Sequence, residues 1–454
     1  MDGKLGADDD IDELRRQLIA AGCDVPECGS SSEAEATRLW NGALDRRPTL
    51  VARCRTAAHV SAALKAAREA GTSVCIHNGG QDWNGRSVQD DALVLDVSGM
   101  STISIDPNRR QAVIGGGVTS GQLNQAAGEQ GLAPVIGNDG SVSMAGLILG
   151  GGYGPLMTRF GLACDNLLSA EVVTPDGEIV TCDADHHPDL FWALCGGGGG
   201  FGVVTSARVR LHAPESLHIG TVVFSWPDAH TALVRFGELM LRAPAGLFGA
   251  AILALGPGGR PAIVISLVWT GEATQGRELV NEIASAGSPV VAKLEPATVS
   301  ALLAATDGKL AQGLGYEVAT RWLEVLTPEV GRALISAFEA RPSPLSTIIV
   351  HHCHGAATQV APEATAFGMR RPHFTALIYE TWNLAESDEP SRLWAHRTAA
   401  AFDSVALPGG YANLLPDGDS RLDKAFGPNG PRLAEIKRRL DPTNALHELP
   451  LSTD

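Results

Sequence analysis

The sequence predicts an α+β protein of two domains, and three observations carry that expectation. Up to residue 211, short apolar strands alternate with helical stretches, and most of the chain's 52 glycines gather in this first half. After His212-Ala213-Pro214 the texture changes to strands of period-two spacing separated by helices of roughly 12 residues, the pattern of an antiparallel sheet covered on one face by helices. Finally, 454 residues with 44% apolar and 19% charged side chains can bury two cores.

The elements follow in chain order. Residues 10–22 space Ile11, Leu14, Leu18 and Ile19 on one helical face, with Asp8 to Asp10 to cap the start and Gly22 to end it. Residues 56–70 read as a helix with Gly71 just past its C-terminus. Val74-Cys75-Ile76 is a short buried strand. Residues 93–96, 112–114, 170–173, 178–181 and 202–211 are further strands, with Thr174-Pro175-Asp176-Gly177 as a hairpin turn. In the second half, strands are expected at 219–224, 262–269, 346–354 and 374–382, and helices at 228–243, 274–286, 328–340 and 390–403.

Composition narrows the function classes. A net charge of -16 argues against binding nucleic acid or an anionic membrane. No apolar run approaches the ~18 residues of a membrane span, and the acidic start has no apolar signal region. A cytoplasmic setting is the expectation. The eight cysteines (23, 28, 54, 75, 164, 182, 195 and 353) form no CxxC pair and no metal-like spacing. Those inside apolar runs, Cys75 and Cys195, read as buried free thiols.

The most informative stretch is Gly79-Gly80-Gln81-Asp82-Trp83-Asn84-Gly85. It follows a strand, and its turn aims backbone N–H groups at one point while glycine lets the chain approach an anion closely. That is a way to hold a pyrophosphate without lysine. Further glycine segments come in order: 114–117, 145–154 and 195–202. Gly197-x-Gly199-x-x-Gly202 formally matches a dinucleotide fingerprint, but a helix precedes it and a strand follows, the reverse of what that fingerprint needs.

These segments, with Arg159-Phe160-Gly161-Leu162-Ala163-Cys164-Asp165-Asn166, Tyr411-Ala412-Asn413 and Phe426-Gly427-Pro428-Asn429-Gly430, resemble the berberine-bridge-enzyme-like flavoproteins of the vanillyl-alcohol-oxidase superfamily. The resemblance covers about residues 38–448. It implies a PCMH-type FAD-binding domain over residues 1–212, a substrate domain of antiparallel sheet over 213–407, and a segment, 408–454, that returns to the first domain. It implies FAD contacts from His77, Asn78, Gly79, Gly80, Gln81, Asp82, Gly85 and Ser87 in the pyrophosphate loop. Gly117, Gly140, Ser141, Val142, Met144, Gly146, Leu147, Gly150, Gly151, Gly152 and Tyr153 would form the second wall. Asp165, Gly202, Val203, Val204 and Asn413 would complete the set. In relatives the position of Gln81 is usually a His bonded to the flavin 8α-methyl, and that of Asp139 is a Cys bonded to C6 in the bicovalent members. Neither residue here can make its bond, so the resemblance implies non-covalent FAD. Val142 matches a position that lines oxygen access. Gly200 stands where the family pattern has Asn.

For substrate chemistry, alternation puts Ile348, Val350, His352 and His354 on one side of a strand and Thr347, Ile349, His351 and Cys353 on the other. The histidine run supplies at most two ligands on one face, short of a zinc site, so no metal is expected. On 374–382, Glu380 shares a face with Ala376, Ile378 and Trp382, while Tyr379 lies opposite. Tyr411, matching the family's Tyr-x-Asn motif, is the first candidate for a general base; Glu380, as base or as a plain strand carboxylate, and His352 come next. The expected function is an FAD-dependent oxidoreductase that takes a hydride from a small molecule, with O₂ as acceptor, in specialised metabolism. A second reading stays open: the fold kept for binding or cyclisation without net redox chemistry.

Overall fold

The computed structural model describes residues 8–256, 258–304, 312–385 and 389–446 of the chain. Three strands of four residues, β1 (Leu50–Arg53), β2 (Val74–His77) and β3 (Leu93–Asp96), pair in parallel in the order β1-β3-β2. They are nearly continuous apolar runs, as a sheet buried on both faces requires. The crossover helix Ala57–Ala70 starts where Thr56 Oγ1 accepts the His59 N–H and stops at Gly71, whose φ of 66° suits glycine.

A second sheet is antiparallel, in the order β4-β5-β8-β6-β7. Its strands are β4 (Ile103–Asp106), β5 (Gln111–Gly115), β6 (Leu167–Val173), β7 (Ile179–Cys182) and β8 (Val203–Arg210). The helix Pro188–Leu194 precedes the glycine run and β8 follows it, so the run does not sit at a strand-to-helix turn. All eight cysteines are free, and Cys28 alone among them is exposed.

The third sheet has seven antiparallel strands in the order β12-β9-β11-β10-β14-β15-β13. They are β9 (Leu217–Ser225), β10 (Leu247–Leu255), β11 (Pro261–Thr270), β12 (Val291–Pro296), β13 (Gly315–Leu323), β14 (Thr347–Cys353) and β15 (His373–Trp382). Helices Ala229–Met240, Ala273–Ala284, Pro328–Glu339 and Glu389–Ala400 accompany it. Phe224, Phe236, Phe338, Ile348, Val350, Phe374 and Ile378 pack in the core on the helix side.

β1, β4, β10, β12 and β13 are strands that the sequence pattern does not announce. β10 reads Leu-Phe-Gly-Ala-Ala-Ile-Leu-Ala-Leu and is buried along most of its length, so it shows no alternation. The C-terminal part packs on the first body. Leu433 and Ile436 of helix Gly430–Leu440 join its core, and Val74 N–H donates to the Ala445 carbonyl at 2.8 Å. Lys437 Nζ donates to the Gly200 carbonyl at 2.8 Å, so a cation from this helix holds the glycine loop. Among the described residues no helix is long and apolar enough to cross a membrane.

Candidate functional site

A cavity of about 720 Å³ separates the glycine loops from the open face of the third sheet. One part of its wall comes from Ile76, Asn78, Val97, Gly198, Gly199 and Gly202. Another is Val142, Gly146, Leu149, Gly150 and Tyr153, with Tyr411 and Asn413 beside them. Phe248, Ile349, His351 and Tyr379 close it from the sheet.

The turn after β2 has the chemistry of an anion cradle. Gly79 and Gly80 adopt φ of 78° and 68°, which glycine alone takes without strain. Gly80, Gln81 and Asp82 line the cavity, and their backbone N–H groups donate to no acceptor among the described residues. Donors left without partners in a wall fit a bound pyrophosphate. Asp82 braces the turn by accepting the N–H groups of Asn84 at 3.2 Å and Ser87 at 3.0 Å. The residues present therefore fit FAD: a phosphate cradle, a flat glycine wall and an apolar slot.

Gln81 and Asp139 are joined through Ser141. Gln81 Nε2 donates to Ser141 Oγ at 2.6 Å, and the Ser141 hydroxyl donates in turn to Asp139 Oδ1. Asp139 also accepts the Ser141 N–H at 2.8 Å. The hydroxyl proton is committed to the carboxylate, so the oxygen must be the acceptor and the amide NH₂ the donor. The relay ties the phosphate loop to the second wall across the cavity.

The glycines of the second wall are required for two different reasons. A Cβ on Gly150 would lie 2.0 Å from Asn413 Nδ2, at the cavity surface. On Gly151 and Gly152 it would strike Phe367 at 2.5 Å and Ala163 at 2.5 Å, behind the wall. Gly151 and Gly152 hence serve protein packing rather than contact with a ring. Gly150→Ala should push Asn413 aside and lower flavin occupancy at unchanged expression, read from the ratio of absorbance at 450 and 280 nm. A fully loaded variant would show that Asn413 is not held against that wall.

Two tyrosines reach the cavity from this side, with ring centroids 4.8 Å apart. Burial pushes the Tyr411 phenol up, against the Gly152 N–H and the Asn413 side chain, which favour its anion. Tyr153 is also raised well above its ordinary range by burial, then by Cys353 and Tyr411, while Thr375 and Trp322 oppose the rise. The difference between them is a proton acceptor. Tyr153 Oη lies 2.9 Å from His373 Nε2, and His373 Nδ1 lies 2.7 Å from the Arg371 carbonyl. A carbonyl can only accept, so Nδ1 carries the proton and Nε2 is the lone pair that faces the phenol. Burial lowers His373 to about 4, which keeps it neutral, with Nε2 as the acceptor of the Tyr153 hydrogen bond.

The structure corrects several expectations. Glu380 is fully buried on the helix side of the third sheet, and Ser346 Oγ donates to its Oε2 at 2.6 Å. His352 lies on that side too, 4.4 Å from the Phe374 ring and 3.1 Å from His354 Nδ1. Neither lines the cavity; the opposite phase of each strand, with His351 and Tyr379, does. His77 is clamped by the Arg38 carbonyl at 3.2 Å and opens, with Gly79, on a separate cleft. Gly85 packs on Leu44 and Gly117 on the Ser98 carbonyl. Met144 is buried beneath Ser120, and Gly140 supports the loop by accepting the Gly121 N–H at 2.8 Å. Asp165 pairs with Arg370. Asn78, Gly80, Gln81, Asp82, Ser87, Val142, Gly146, Leu147, Gly150, Tyr153, Gly202, Val203, Val204, Tyr411 and Asn413 do line the cavity.

Sequence reasoning missed His373, Thr375 and Trp322. His373 and Thr375 share the phase of Tyr379 on β15, so the signal was present once that face was chosen.

Burial depresses His351 to about 3 and His352 to about 2, besides His373. The unfolded chain titrates near 6.5, so it takes up protons first as pH falls. These groups stabilise the fold fully above about pH 6.5, and that stability drains away toward pH 4. The urea midpoint is therefore expected to fall between pH 7.5 and pH 5, above the range where carboxylates titrate. A flat midpoint over that interval would contradict three neutral buried imidazoles.

Comparison with known proteins agrees with this geometry. A family profile described as FAD binding domain matches residues 48–183, and one described as berberine and berberine like matches residues 388–448. The (R)-6-hydroxynicotine oxidase of Paenarthrobacter nicotinovorans is 40% identical over 188 residues, covering 41% of each chain. The FAD-linked oxidoreductase aurO of Gibberella zeae is 28% identical over 91% of this chain and 83% of its own. The solved 6-hydroxy-D-nicotine oxidase of Arthrobacter nicotinovorans superposes with a TM-score of 0.85 at 26% identity, over 95% of this chain and 98% of that one. Physcomitrella patens BBE-like 1, at a TM-score of 0.89 and 21% identity over 97% and 100% of the two chains, shares the fold.

Proposed function

We propose that this chain, which belongs to the FAD-linked oxidoreductases with a berberine-like C-terminal segment, oxidises an O–H-bearing carbon of a small molecule and routes the departing proton through Tyr153 to His373. The observation that carries this reading is the 2.9 Å hydrogen bond between Tyr153, which lines the cavity, and the buried His373. FAD bound in the cavity supplies the acceptor for the two electrons that leave with the hydride.

The chain's own residues supply the rest. Gly80, Gln81 and Asp82 present N–H groups to the phosphates. Val142 to Gly150 would form the wall that holds the flavin ring. The substrate's O–H donates to Tyr153 Oη while the Tyr153 proton passes to His373 Nε2, and the Nδ1–H stays on the Arg371 carbonyl. As the C–H bond gives up its hydride and the O–H bond its proton, the carbon–oxygen bond becomes a carbonyl, so atoms and charge balance. The Thr375 hydroxyl and the Trp322 indole, which have no other hydrogen-bond partner among the described residues, favour the transient phenolate. Exclusion of water by the sheet strengthens these contacts.

The FAD is held without a covalent link, with the Gln81–Ser141–Asp139 relay in place of the two bonds. The small Val142 in the wall and the oxidases among the relatives support reoxidation by O₂. Acid precipitation of the yellow protein should leave FAD in the supernatant, and a substrate should bleach the bound flavin under anaerobic conditions. Flavin that stays with the precipitate would overturn non-covalent binding. Bound flavin that no bound ligand can bleach would return the protein to the class without redox chemistry.

A further inference from the structure

The wall that the third sheet turns to the cavity carries no ionised side chain. β10 contributes Phe248 and Ile252, β14 contributes Ile349 and His351, and β15 contributes Leu377 and Tyr379. Between them lie alanines and two hydroxyls, Ser266 and Thr347; among the described residues the sheet offers no Asp, Glu, Lys or Arg to the cavity. His351 is 3% exposed, and burial and the nearby His373 keep it neutral by lowering it to about 3.

The charged side chains elsewhere in the wall lie among the glycine loops and have protein hydrogen-bond partners. Arg86 pairs with Asp417 at 2.8 Å and with the Leu415 carbonyl at 2.6 Å. Asp82 is taken by the Asn84 and Ser87 N–H groups and Asp139 by Ser141. On the sheet side nothing is left to pair with a charge brought in by a ligand, and an ion buried without a partner is costly. A many-hydroxyl ligand meets the same difficulty, since it would lose water without gaining enough partners.

The lining also says what the pocket favours. Trp40 and Trp83 border the cavity and form an aromatic group with Tyr316 and Tyr379: Trp40 stacks on Tyr316 at 4.1 Å and Trp83 lies 5.2 Å from Tyr379. Leu255 and Leu345 also line the cavity, and Leu345 is 42% exposed. An exposed leucine at a cavity mouth suits the entry of apolar molecules.

We propose that the substrate is an uncharged alcohol on an apolar, aromatic body, admitted past Leu255 and Leu345 and held between the indoles and the aliphatic face of β10, β14 and β15. This rests on the oxidoreductase reading above and specifies its substrate class.

The test uses the FAD-loaded protein and four probes: 2-naphthylmethanol, its 6-carboxylate, its 6-trimethylammonium analogue, and cellobiose. Binding is read as perturbation of the bound flavin's absorbance, and turnover separately as anaerobic bleaching. Naphthylmethanol should bind, with both charged analogues weaker by about 100-fold or more and cellobiose without effect. Ile349→Asp, checked for retained FAD and melting temperature, should reverse the order of the alcohol and the ammonium analogue. Tighter binding of a charged probe or of cellobiose by the wild type, or an unchanged order in the variant, would overturn the proposal. Naphthylmethanol that binds without bleaching would uphold the substrate class and count against the redox reading instead.

Discussion

Tyr153→Phe is expected to keep FAD and to slow flavin reduction by about 10²–10⁴-fold, the usual contribution of a positioned acid–base group. Both cavity tyrosines are buried, and burial raises both phenols. Neither is a phenolate at neutral pH, so neither can act as a base unless it hands its own proton onward. Tyr153 can, because His373 Nε2 waits 2.9 Å away with its tautomer fixed by the Arg371 carbonyl. Tyr411 meets the Gly152 N–H and the Asn413 side chain, which favour its anion rather than take its proton. Tyr411→Phe should accordingly cost less than Tyr153→Phe. His373→Gln should approach the cost of Tyr153→Phe, and the double variant should be little worse than either, since removing one member already breaks the relay. Anaerobic stopped-flow with flavin occupancy measured on the same samples decides it. A fully loaded Tyr153→Phe protein reducing at the wild-type rate would remove the relay from the mechanism and return Tyr411 to first place.

The reason Tyr411 came first from the sequence, and Glu380 and His352 after it, is physical. Period-two spacing sorts a strand into two faces but does not say which one meets the cavity. That choice is usually made by polarity, with one face wet. On β15 every residue is buried, because helices cover one side and the first body covers the other. Glu380 looked like the polar residue of an active face, yet it is the buried partner of Ser346. His373 lies just before the strand expected at 374–382, yet it is the acceptor that separates two otherwise similar tyrosines. Its partner Tyr153 lies 220 residues earlier, a separation that no local pattern spans.

The glycine loops were legible for the opposite reason. A turn such as Gly79–Gly80 needs a conformation that few residues adopt, so its sequence carries its geometry. Legibility ended at purpose. Gly151, Gly152 and Asp165 share the same glycine-rich region as the cavity wall, but they hold that wall from behind.

That rear support makes the second large prediction. Arg370→Met should destabilise the protein by about 3–5 kcal/mol, the cost of leaving a buried charge without its partner. The Arg370 side chain is fully buried and that of Asp165 is 10% exposed. The pair is bidentate, at 2.7 and 2.9 Å. The guanidinium also donates to the carbonyls of Phe367 at 3.0 Å and Ala357 at 3.1 Å and to Thr365 Oγ1 at 2.6 Å. Asp165 takes the Leu162 N–H at 2.8 Å as well. This cluster joins the segment behind Gly152 to the loop between β14 and β15. Phe367, three residues before Arg370, is the side chain that fills the space left by Gly151. Arg370→Lys should recover little, because an ammonium cannot span both carboxylate oxygens and three further acceptors. Adding Asp165→Asn to Arg370→Met should restore part of the loss by removing the stranded charge, whereas the two changes would simply add if they acted on separate contacts. Urea unfolding of the wild type, Arg370→Met, Arg370→Lys, Asp165→Asn and the double variant, followed by tryptophan fluorescence, measures both quantities. If Arg370→Met unfolds at the wild-type midpoint, the pair is not what fixes the glycine wall, and flavin lost from that variant would need another cause.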